Sequence, residues 1–354
     1  MNELRNTYSG KRVFVTGHTG FKGSWLLSWL LKLGANIVGI SNDIPTEPAM
    51  FEVLNESNQI KDLRFCITNI DLLKSTILEE EPDFIFHLAA QPIVSKSYLN
   101  PHYTIMSNVL GTTNLLESLR FFKKECKVII ITSDKCYDNI ETLWGYKETD
   151  KMGGKDIYSG SKGAAELVIK SYFHSYFQKG HPVKIVIGRA GNVIGGGDWA
   201  SDRIVVDCMR AWNEGRSVEI RSPKATRPWQ HVLDPLNGYL TIGCKLMTDK
   251  KISPAYNFGP GDESKLTVQQ MAEYSCGQWP GSQGIEVRED KNALPESGLL
   301  WLSSNLAVGE LGWFNRFEAK EAIRWTIEWE RESMNSTPLQ ALDTQIDPFF
   351  GVEK

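Results

Sequence analysis

The chain has 354 residues, of which 41% are hydrophobic and 23% are charged, and this composition is ordinary for a soluble globular protein. A chain of this length can bury a full core without disulfide bonds, so we expect one large domain or a domain with a smaller lobe. The formal net charge of −4 gives no basic surface, and we therefore expect no nucleic-acid partner.

The six cysteines form no CxxC pair, and none has a histidine nearby at ligand spacing. We therefore expect reduced thiols, no metal site and a cytoplasmic protein. The N-terminal residues 1–12 are polar and do not predict a secretory signal. The most apolar stretch, residues 25–34, is far shorter than the roughly 20 residues of a membrane span, so we predict a buried helix and no membrane partner.

The first half of the chain alternates β-branched runs with helical patterns. The predicted strands are residues 12–17, 36–41, 83–90, 127–133 and 183–191. The predicted helices are residues 23–34, 71–81, 108–122 and 156–176. Because the strand runs lack polar alternation, we expect strands buried on both faces of a parallel, doubly wound sheet.

A glycine-rich turn, TGHTGFKG, joins the first predicted strand to the first predicted helix, with the spacing GxxGxxG. Such a turn allows close backbone approach, and the helix N-terminus offers free N–H groups to a pyrophosphate. Because this turn follows the first strand of an alternating strand and helix pattern, it predicts a dinucleotide-binding site. A glycine turn used only for helix packing is the alternative. The predicted cofactor contacts here are Gly17, Thr19, Gly20, Phe21, Lys22 and Gly23.

The second strand of such a site usually ends near an acidic residue that binds the ribose hydroxyls. Here Ser41 stands at the strand end and Asp43 follows two residues later, so Asp43 is the candidate. A solvated aspartate in a turn is the alternative. No arginine follows the strand directly, which favours NAD over NADP.

These patterns predict an α/β fold, a Rossmann-type doubly wound parallel sheet with a smaller, mixed α/β substrate-binding lobe. Glycine, proline and tryptophan become frequent after residue 192. We expect residues 1–192 to form the NAD-binding domain and residues 193–354 to form mainly the lobe, interleaved with the first part across a soft boundary. The polar tail from Ser333 is expected to fray.

Ligands of open parallel sheets bind beyond the carboxyl ends of the strands. One predicted strand ends there in TSDK, so that Ser133, Asp134 and Lys135 place a hydroxyl, a carboxylate and an ammonium side by side. They are either ordinary polar residues of a loop or an acid and a base at a strand end.

Tyr158 and Lys162 stand four residues apart in YSGSK, so a helix places them on one face. An ammonium beside a phenol favours the phenolate, and we therefore expect the pKa of Tyr158 to lie below its usual value of about 10. Such a tyrosine can take a proton from a sugar hydroxyl while a hydride leaves for a nicotinamide. Pairs of this kind also occur on many solvated helices.

The stretches TGHTGFKG, HLAAQP, NVLGTTNLLE, TSDKCY and YSGSKGAAE together resemble the extended short-chain dehydrogenase/reductase family. GRAGNVIGGGDWASDRIV and ATRPWQHVLDPLNGYL resemble, more narrowly, its CDP-sugar 4,6-dehydratase branch, and the likeness runs over residues 10–330. The resemblance implies a bound NAD and CDP-glucose as the substrate. It implies oxidation at C4, loss of water across C5–C6 and hydride return to C6, giving CDP-4-dehydro-6-deoxyglucose.

The resemblance also implies roles for the strand-end residues. Tyr158 is the base at O4, Lys162 tunes it and binds the nicotinamide ribose, and Ser133 hydrogen-bonds O4. The wider family has Thr-Asp-Glu where this chain has Ser-Asp-Lys, which makes Asp134 the acid for the leaving C6 hydroxyl. Lys135, at the position of the C5 base, is either a base with a lowered pKa or a cation that stabilises the enolate.

Further contacts are implied for the two phosphates of a CDP-sugar, which require cationic and amide donors. Arg227 is the first candidate for the pyrophosphate and Arg203 the second, with a surface cation as the alternative for each. Asn192 resembles the family's phosphate-binding asparagine. His231 is either a substrate contact or a packed core histidine, and Trp199 either walls the nucleotide pocket or packs in the core.

The remaining predicted contacts lie near the third predicted strand and the helix that follows. Leu88, Ala89 and Ala90 are assigned to NAD and Gln91 to the substrate. Asn108 is predicted to open a helix as an N-cap and, by the resemblance, to orient active-site groups. Relatives have an Asp-Ile or Asp-Leu pair where this chain has Cys66-Ile67, and a thiol accepts the adenine hydrogen bond less well.

Two other functions remain open at this point. One is another nucleotide-sugar 4,6-dehydratase or a 4-epimerase of the same fold, and the Ser-Asp-Lys triplet counts against the epimerase. The other is a non-catalytic NAD-binding regulator, against which the Tyr158/Lys162 pair counts. The resemblance further implies a homodimer or homotetramer that pairs through helices 108–122 and 157–177, and a role in deoxysugar synthesis for surface polysaccharide.

Overall fold

The computed structural model describes residues 1–351 except 57, 179, 249–250, 262–263, 289–298 and 335–336. The strands are β1 Arg12–Thr16, β2 Asn36–Ser41, β3 Ile60–Arg64, β4 Phe84–His87, β5 Cys126–Ser133, β6 Val183–Ala190, β7 Val193–Ile194, β8 Val218–Ile220, β9 Thr226–Pro228, β10 Gln230–His231, β11 Ala255–Phe258, β12 Lys265–Thr267 and β13 Ile285–Val287.

The helices are α1 Asn2–Tyr8, α2 Phe21–Lys32, α3 Met50–Asn55, α4 Ile70–Glu80, α5 Val94–Leu99, α6 Pro101–Ile105, α7 Gly111–Leu119, α8 Ile157–Tyr176, α9 Ile204–Asn213, α10 Leu233–Leu246, α11 Val268–Gln278, α12 Ala319–Ser333 and α13 Pro338–Phe349. A 3-10 turn covers Asp134–Cys136, and π-helical turns cover Met106–Leu110 and Ala307–Leu311.

The main sheet has seven strands in the order β11-β6-β5-β4-β1-β2-β3, and every pairing in it is parallel. Consecutive residues of one strand pack on opposite faces: Phe84 and Phe86 belong to one hydrophobic cluster and Ile85 to the other. The core therefore lies on both sides of the sheet, as a doubly wound α/β fold requires. The predicted fold class is confirmed.

The predicted elements match observed ones to within a few residues, apart from the following differences. The strand predicted over 83–90 ends at His87, because the following residues leave the sheet. The helix predicted to begin at Asn108 is instead continuous with the preceding turns, so Asn108 lies inside the π-helical turn and is no N-cap. The half-exposed strand β3 and the short strand β11 were not predicted.

The second half of the chain contributes to the main sheet, because β11 pairs with β6 along Ala255–Phe258. The tail also has structure, which corrects the prediction that it frays. Helix α13 packs on α2 through Phe349, whose ring centroid lies 5.6 Å from that of Trp29. Lys32 Nζ forms an ion pair with Asp347 at 2.8 Å between the same two helices.

No helix in the described part of the chain is long and apolar enough to cross a bilayer. The same residues contain no cluster of three or more histidine, cysteine or acidic side chains that could hold a metal ion. All six cysteines are free thiols, as predicted.

Candidate active site

The glycine turn lies at the carboxyl ends of β1 and β4. Gly17 has a φ of +74°, and a Cβ there would come within 2.6 Å of the Ala89 backbone nitrogen. A Cβ at Gly23 would lie 2.3 Å from the Gly17 carbonyl oxygen. Both positions therefore require glycine for the chain's own packing.

Gly20 differs, because a Cβ at this position would meet only the Gly17 carbonyl oxygen, at 3.6 Å. Gly20 is also the N-cap of α2, and no side chain among the described residues caps this end. The first N–H groups of α2 thus face an open side of the turn, with the positive end of the helix dipole behind them. This cradle fits a dinucleotide pyrophosphate.

The end of β2 is held by two side chains that contact one carbonyl. Thr19 Oγ1 donates to the Asp43 carbonyl oxygen at 2.7 Å, and Arg64 Nη1 donates to the same oxygen at 3.2 Å. The Asp43 side chain itself is exposed. Arg64 comes from β3 rather than from the residues after β2, so only the pairing of the two strands brings an arginine here.

The predicted acid/base triplet lies where β5 ends in a 3-10 turn. The Ser133 hydroxyl donates to Asp134 Oδ1 at 2.8 Å and accepts from the Lys135 backbone N–H at 3.2 Å. Asp134 is buried, with 3% of its surface exposed, whereas Ser133 and Lys135 are partly exposed. The serine therefore caps the turn and fixes the carboxylate.

Tyr158 and Lys162 lie one turn apart near the start of α8, which Asp156 caps by accepting from the Ser159 N–H at 2.9 Å. Both side chains are buried, and Lys162 Nζ lies 6.0 Å from the centre of the Tyr158 ring. The Tyr158 phenol also has a side-chain hydrogen bond with Ser133. The structure thus brings the tyrosine, the lysine and the triplet together.

The ionisation of Tyr158 differs from the expectation. Burial raises its pKa to about 12, although the side-chain interaction with Ser133 acts in the opposite direction. The predicted lowering is wrong for the protein alone, because the cost of burying the phenolate outweighs the interactions that favour it. Burial likewise lowers the pKa of Lys162, to about 8.

A third cation belongs to the same cleft. Burial, followed by repulsion from Arg203 and then Lys162, lowers the pKa of Lys22 to about 7, and attraction to Asp134 opposes this shift. Lys22 thus lies in one cluster with Arg203, Lys162 and the Asp134 carboxylate. Such a cluster favours anionic ligands.

Known proteins share this architecture over nearly the whole chain. The family model described as GDP-mannose 4,6 dehydratase matches residues 14–326. The chain belongs to this dehydratase family. A curated relative, CDP-glucose 4,6-dehydratase of Salmonella typhimurium, is 42% identical over 332 residues, which cover 92% of each chain.

Two solved structures show the same fold. An epimerase of Methanothermobacter thermautotrophicus superposes with a TM-score of 0.80 at 24% identity, covering 98% of this chain and 97% of its own. A dTDP-glucose 4,6-dehydratase of Bacillus anthracis in complex with NAD superposes with a TM-score of 0.75 at 19% identity, covering 93% of this chain and 100% of its own.

Within this dehydratase fold, Asn108 joins three elements around the site. Its Oδ1 accepts from the Gln91 N–H at 2.7 Å, and its Nδ2 donates to Ser161 Oγ at 2.9 Å. Gln91 is buried, and its amide bonds Thr104 Oγ1 at 3.0 Å and the Ile93 N–H at 2.6 Å. Asn108 thus links the segment after β4 to α8, and the Gln91 side chain links the same segment to α6.

Strand β9, which carries Arg227, lies near Asp134. A Cβ at Gly191 would lie 3.3 Å from Asp134 Oδ2 and 3.5 Å from Pro228 Cγ. Arg227 precedes that proline in β9, and its Nη1 donates to the Thr226 carbonyl at 2.9 Å. Asn192, which follows Gly191, is exposed.

Arg203 pairs with buried Asp198 at 3.1 Å. Sequence reasoning missed Asp198, although the stretch GGGDWASDR contains both residues. Trp199 is only partly buried, with its ring centroid 6.2 Å from that of Trp329.

His231 lies in the core, which corrects its assignment as a substrate contact. It is fully buried, and its ring lies 5.3 Å from Phe317, 5.9 Å from Trp25 and 6.0 Å from Trp325. Burial lowers its pKa to about 3, so the imidazole is neutral. A side chain without exposed surface has no access to the cleft.

Proposed function

We propose that the chain is an NAD-dependent CDP-glucose 4,6-dehydratase, a hydro-lyase that forms CDP-4-dehydro-6-deoxyglucose. The observation that carries the proposal is the 42% identity to the Salmonella enzyme across 92% of both chains. The Ser-Asp-Lys turn beside the buried Tyr158/Lys162 pair supports it, because elimination of water needs an acid and a base next to the oxidising site.

The glycine turn supports NAD as the cofactor. Gly17 and Gly23 let the backbone fold tightly, and Gly20 leaves the N-terminus of α2 accessible to a pyrophosphate. Thr19 and Arg64 hold the end of β2 at Asp43, where we place the adenosine ribose. When bound, NAD supplies the chemistry of taking a hydride from C4 and later returning it at C6.

Oxidation at C4 requires removal of the O4 proton. We assign the base to Tyr158, whose phenol is hydrogen-bonded to Ser133, so that O4 lies within reach of both oxygens. Lys162 stabilises the phenolate by its charge. The desolvation that raises the pKa of Tyr158 also makes its phenolate a strong base once it forms.

Elimination follows at C5 and C6. The C4 ketone acidifies the C5 proton, and loss of that proton develops charge on O4. Asp134, in its protonated form, delivers a proton to the leaving C6 hydroxyl, which departs as water, and a proton returns to C5 when C6 is reduced. Lys135, partly exposed at the same turn, is either the base at C5 or the cation that stabilises the enolate oxygen.

We assign the diphosphate of the substrate to Arg227, Arg203 and Asn192. Asp198 pairs with Arg203 across 3.1 Å and so limits its rotamers. We further propose the division into a cofactor domain, residues 1–192, and a substrate lobe, residues 193–354. Trp199 would line the nucleotide pocket between them.

The assembly that we propose is a cytoplasmic homodimer or homotetramer serving deoxysugar synthesis for surface polysaccharide. Helix α8 carries three apolar side chains that are exposed in the single chain, Ile157 at 40%, Leu167 at 55% and Tyr176 at 46%. Such side chains favour a protein–protein contact between copies of this helix.

A 4-epimerase is the second candidate, since an epimerase shares the fold at a TM-score of 0.80. An epimerase needs the tyrosine and lysine but no proton donor for a leaving hydroxyl. The buried carboxylate of Asp134, hydrogen-bonded to Ser133 beside Tyr158, favours the dehydratase. A non-catalytic NAD-binding protein would need neither the Asp134/Lys135 pair nor the Tyr158/Lys162 pair.

Mass spectrometry of the sugar nucleotide tests the proposal. Purified protein with NAD is incubated separately with CDP-glucose, UDP-glucose and dTDP-glucose. We expect the loss of one water from CDP-glucose alone. Loss of water from another donor would overturn the nucleotide assignment, and an unchanged mass with all three would overturn the dehydratase.

A further inference from the structure

The turn that carries Asp134 and Lys135 is flanked by two buried hydroxyl groups. On one side, Thr132 Oγ1 donates to Glu166 Oε1 at 2.5 Å. On the other side, Tyr137 OH accepts from Arg189 Nη1 at 2.7 Å. Both hydroxyls thus bind the same pair of charged residues.

Glu166 and Arg189 form a bidentate ion pair inside the protein. Arg189 Nε lies 2.8 Å from Oε1 and Nη2 lies 2.9 Å from Oε2, and the two side chains are 5% and 3% exposed. Two parallel bonds fix the direction as well as the distance of the two groups. A pair of this kind has little freedom to rearrange.

The ion pair connects the two elements that carry the proposed chemistry. Glu166 lies on α8, one turn after Lys162 and two turns after Tyr158, so the three side chains share a face. Arg189 lies on β6 directly opposite Thr132 of β5. The pair therefore holds the end of β5 against the tyrosine helix.

The Tyr137 hydroxyl extends this contact to the strand contributed by the second half of the chain. It donates to Asn257 Oδ1 of β11 at 2.8 Å. Asn257 Nδ2 in turn donates to the Tyr146 carbonyl at 2.8 Å, and the Tyr137 and Tyr146 rings stack 5.2 Å apart. The C-terminal side of the acid/base turn is thus fixed from β6 and β11 together.

We propose that Thr132 and Tyr137 are positioning residues, which use the Glu166–Arg189 pair to hold Asp134 and Lys135 at the distance from Tyr158 that elimination requires. The inference rests on the proposed dehydratase function. It separates two steps of one reaction. Oxidation at C4 depends on Tyr158 and Lys162, which lie on α8 itself, and takes from the β5 end only the hydrogen bond of Ser133. Elimination depends in addition on the placement of the turn.

Tyr137→Phe tests the inference, because it removes one hydroxyl and keeps the stacked ring. Tyr146→Phe is the matched control: its hydroxyl bonds Asn139 Oδ1 at 3.0 Å and the Ile140 N–H at 2.8 Å, not the ion pair. Thr132→Val, which removes the other hydroxyl at nearly constant shape, is the second test variant.

Four quantities are measured for each variant: kcat and KM with CDP-glucose, the absorbance of reduced nicotinamide during turnover, and the rise in melting temperature on adding CDP. We expect Tyr137→Phe and Thr132→Val to lower kcat about 10- to 100-fold, as small misplacements of reacting groups do. Reduced nicotinamide should accumulate, because oxidation proceeds while elimination is slow. KM and the CDP-induced shift should match those of the wild type.

The outcomes distinguish the inference from the function on which it rests. If the wild type does not convert CDP-glucose, the proposed function fails. If the wild type is active and both test variants behave like Tyr146→Phe, the positioning inference is overturned. It is also overturned if kcat falls without accumulation of reduced nicotinamide, since the damage is then not confined to elimination. Should Tyr137→Phe not fold, Thr132→Val decides by the same criteria.

Discussion

The hydroxyl of Ser133 donates a hydrogen bond to Oδ1 of Asp134 across 2.8 Å. The same serine has a hydrogen bond with the Tyr158 phenol. One small side chain therefore links the proposed base of the oxidation step to the proposed acid of the elimination step. Substitutions on either side of this link should affect different steps.

Asp134→Asn should stop elimination while leaving oxidation possible. The amide cannot deliver the proton to the C6 hydroxyl, and loss of a general acid typically costs about 100- to 10,000-fold in rate. We expect reduced nicotinamide to accumulate without product. Asp138→Asn is the matched control, since Asp138 pairs with exposed Lys151 at 2.8 Å. Normal turnover by Asp134→Asn would remove Asp134 from the mechanism.

Tyr158→Phe should abolish the first step, because no group then removes the O4 proton. Neither reduced nicotinamide nor product should form, whereas binding of CDP should persist. Tyr172→Phe, on the same helix with its hydroxyl 3.2 Å from Glu117, provides the comparison and should remain active. Rapid reduction of the nicotinamide by the Tyr158 variant would show that another residue is the base.

Arg227→Ala should weaken substrate binding more than it slows chemistry. A charge-assisted hydrogen bond contributes about 1.5–3 kcal/mol, so KM for CDP-glucose should rise about 10- to 100-fold. Arg221→Ala is the control: Arg221 is 60% exposed and pairs with Asp202 at 3.6 Å. Equal KM values for the two variants would place the diphosphate elsewhere.

Glu330→Gln should alter the pH dependence of stability. Burial raises the pKa of Glu330 to about 7, above its usual value of 4.5, and the Gly197 N–H donates to it at 3.0 Å. Between these two values the native state binds more protons than the unfolded state, so stability falls as the pH rises through this window.

This shift in the Glu330 pKa corresponds to ~3 kcal/mol of unfolding free energy that the wild type has lost once the pH is above neutral. The glutamine variant should not show this loss. Urea unfolding at acidic and slightly alkaline pH measures the difference. Glu328→Gln, whose side chain is 44% exposed beside Arg324, serves as the control. If Glu330→Gln keeps the wild-type dependence of the unfolding free energy on pH, another group causes that dependence. Asp198, which is buried beside Glu330, is then the next group to substitute.

His231→Leu tests the core assignment of that residue. Burial lowers the pKa of His231 to about 3, so the unfolded chain binds the extra proton first and stability is lost as the pH falls below about 6.5. The leucine variant should lose less stability on acidification and keep the wild-type KM. Part of the stability loss on acidification should remain in the variant, because burial also lowers the pKa of His87 to about 3. A large rise in KM would return His231 to the substrate site.

Much of the fold was predictable because its central strands are continuous β-branched runs that only a sheet buried on both faces accommodates. β3 escaped prediction because its sequence IKDLR is half-exposed at the sheet edge, and β11 because its sequence AYNF contains no β-branched run. The tail was predicted to fray because its polarity masked the apolar face with which α13 covers Trp29.

The grouping of the candidate site was predictable where its residues are close in sequence, as in the triplet and the Tyr158/Lys162 pair. Contacts that depend on strand order were not predictable, since Arg64 reaches Asp43 only because β3 lies beside β2. The pKa of Tyr158 was predicted in the wrong direction, because its burial is a property of the whole fold.

The most direct test of the account follows a deuterium atom from C4 of the sugar. CDP-glucose labelled with deuterium at C4 is converted in ordinary water, and the product is analysed by NMR. The account predicts that the label reappears at C6, since the hydride taken from C4 is returned within the same site. A product with no deuterium at C6, or recovered sugar with an inverted C4 centre, would contradict it.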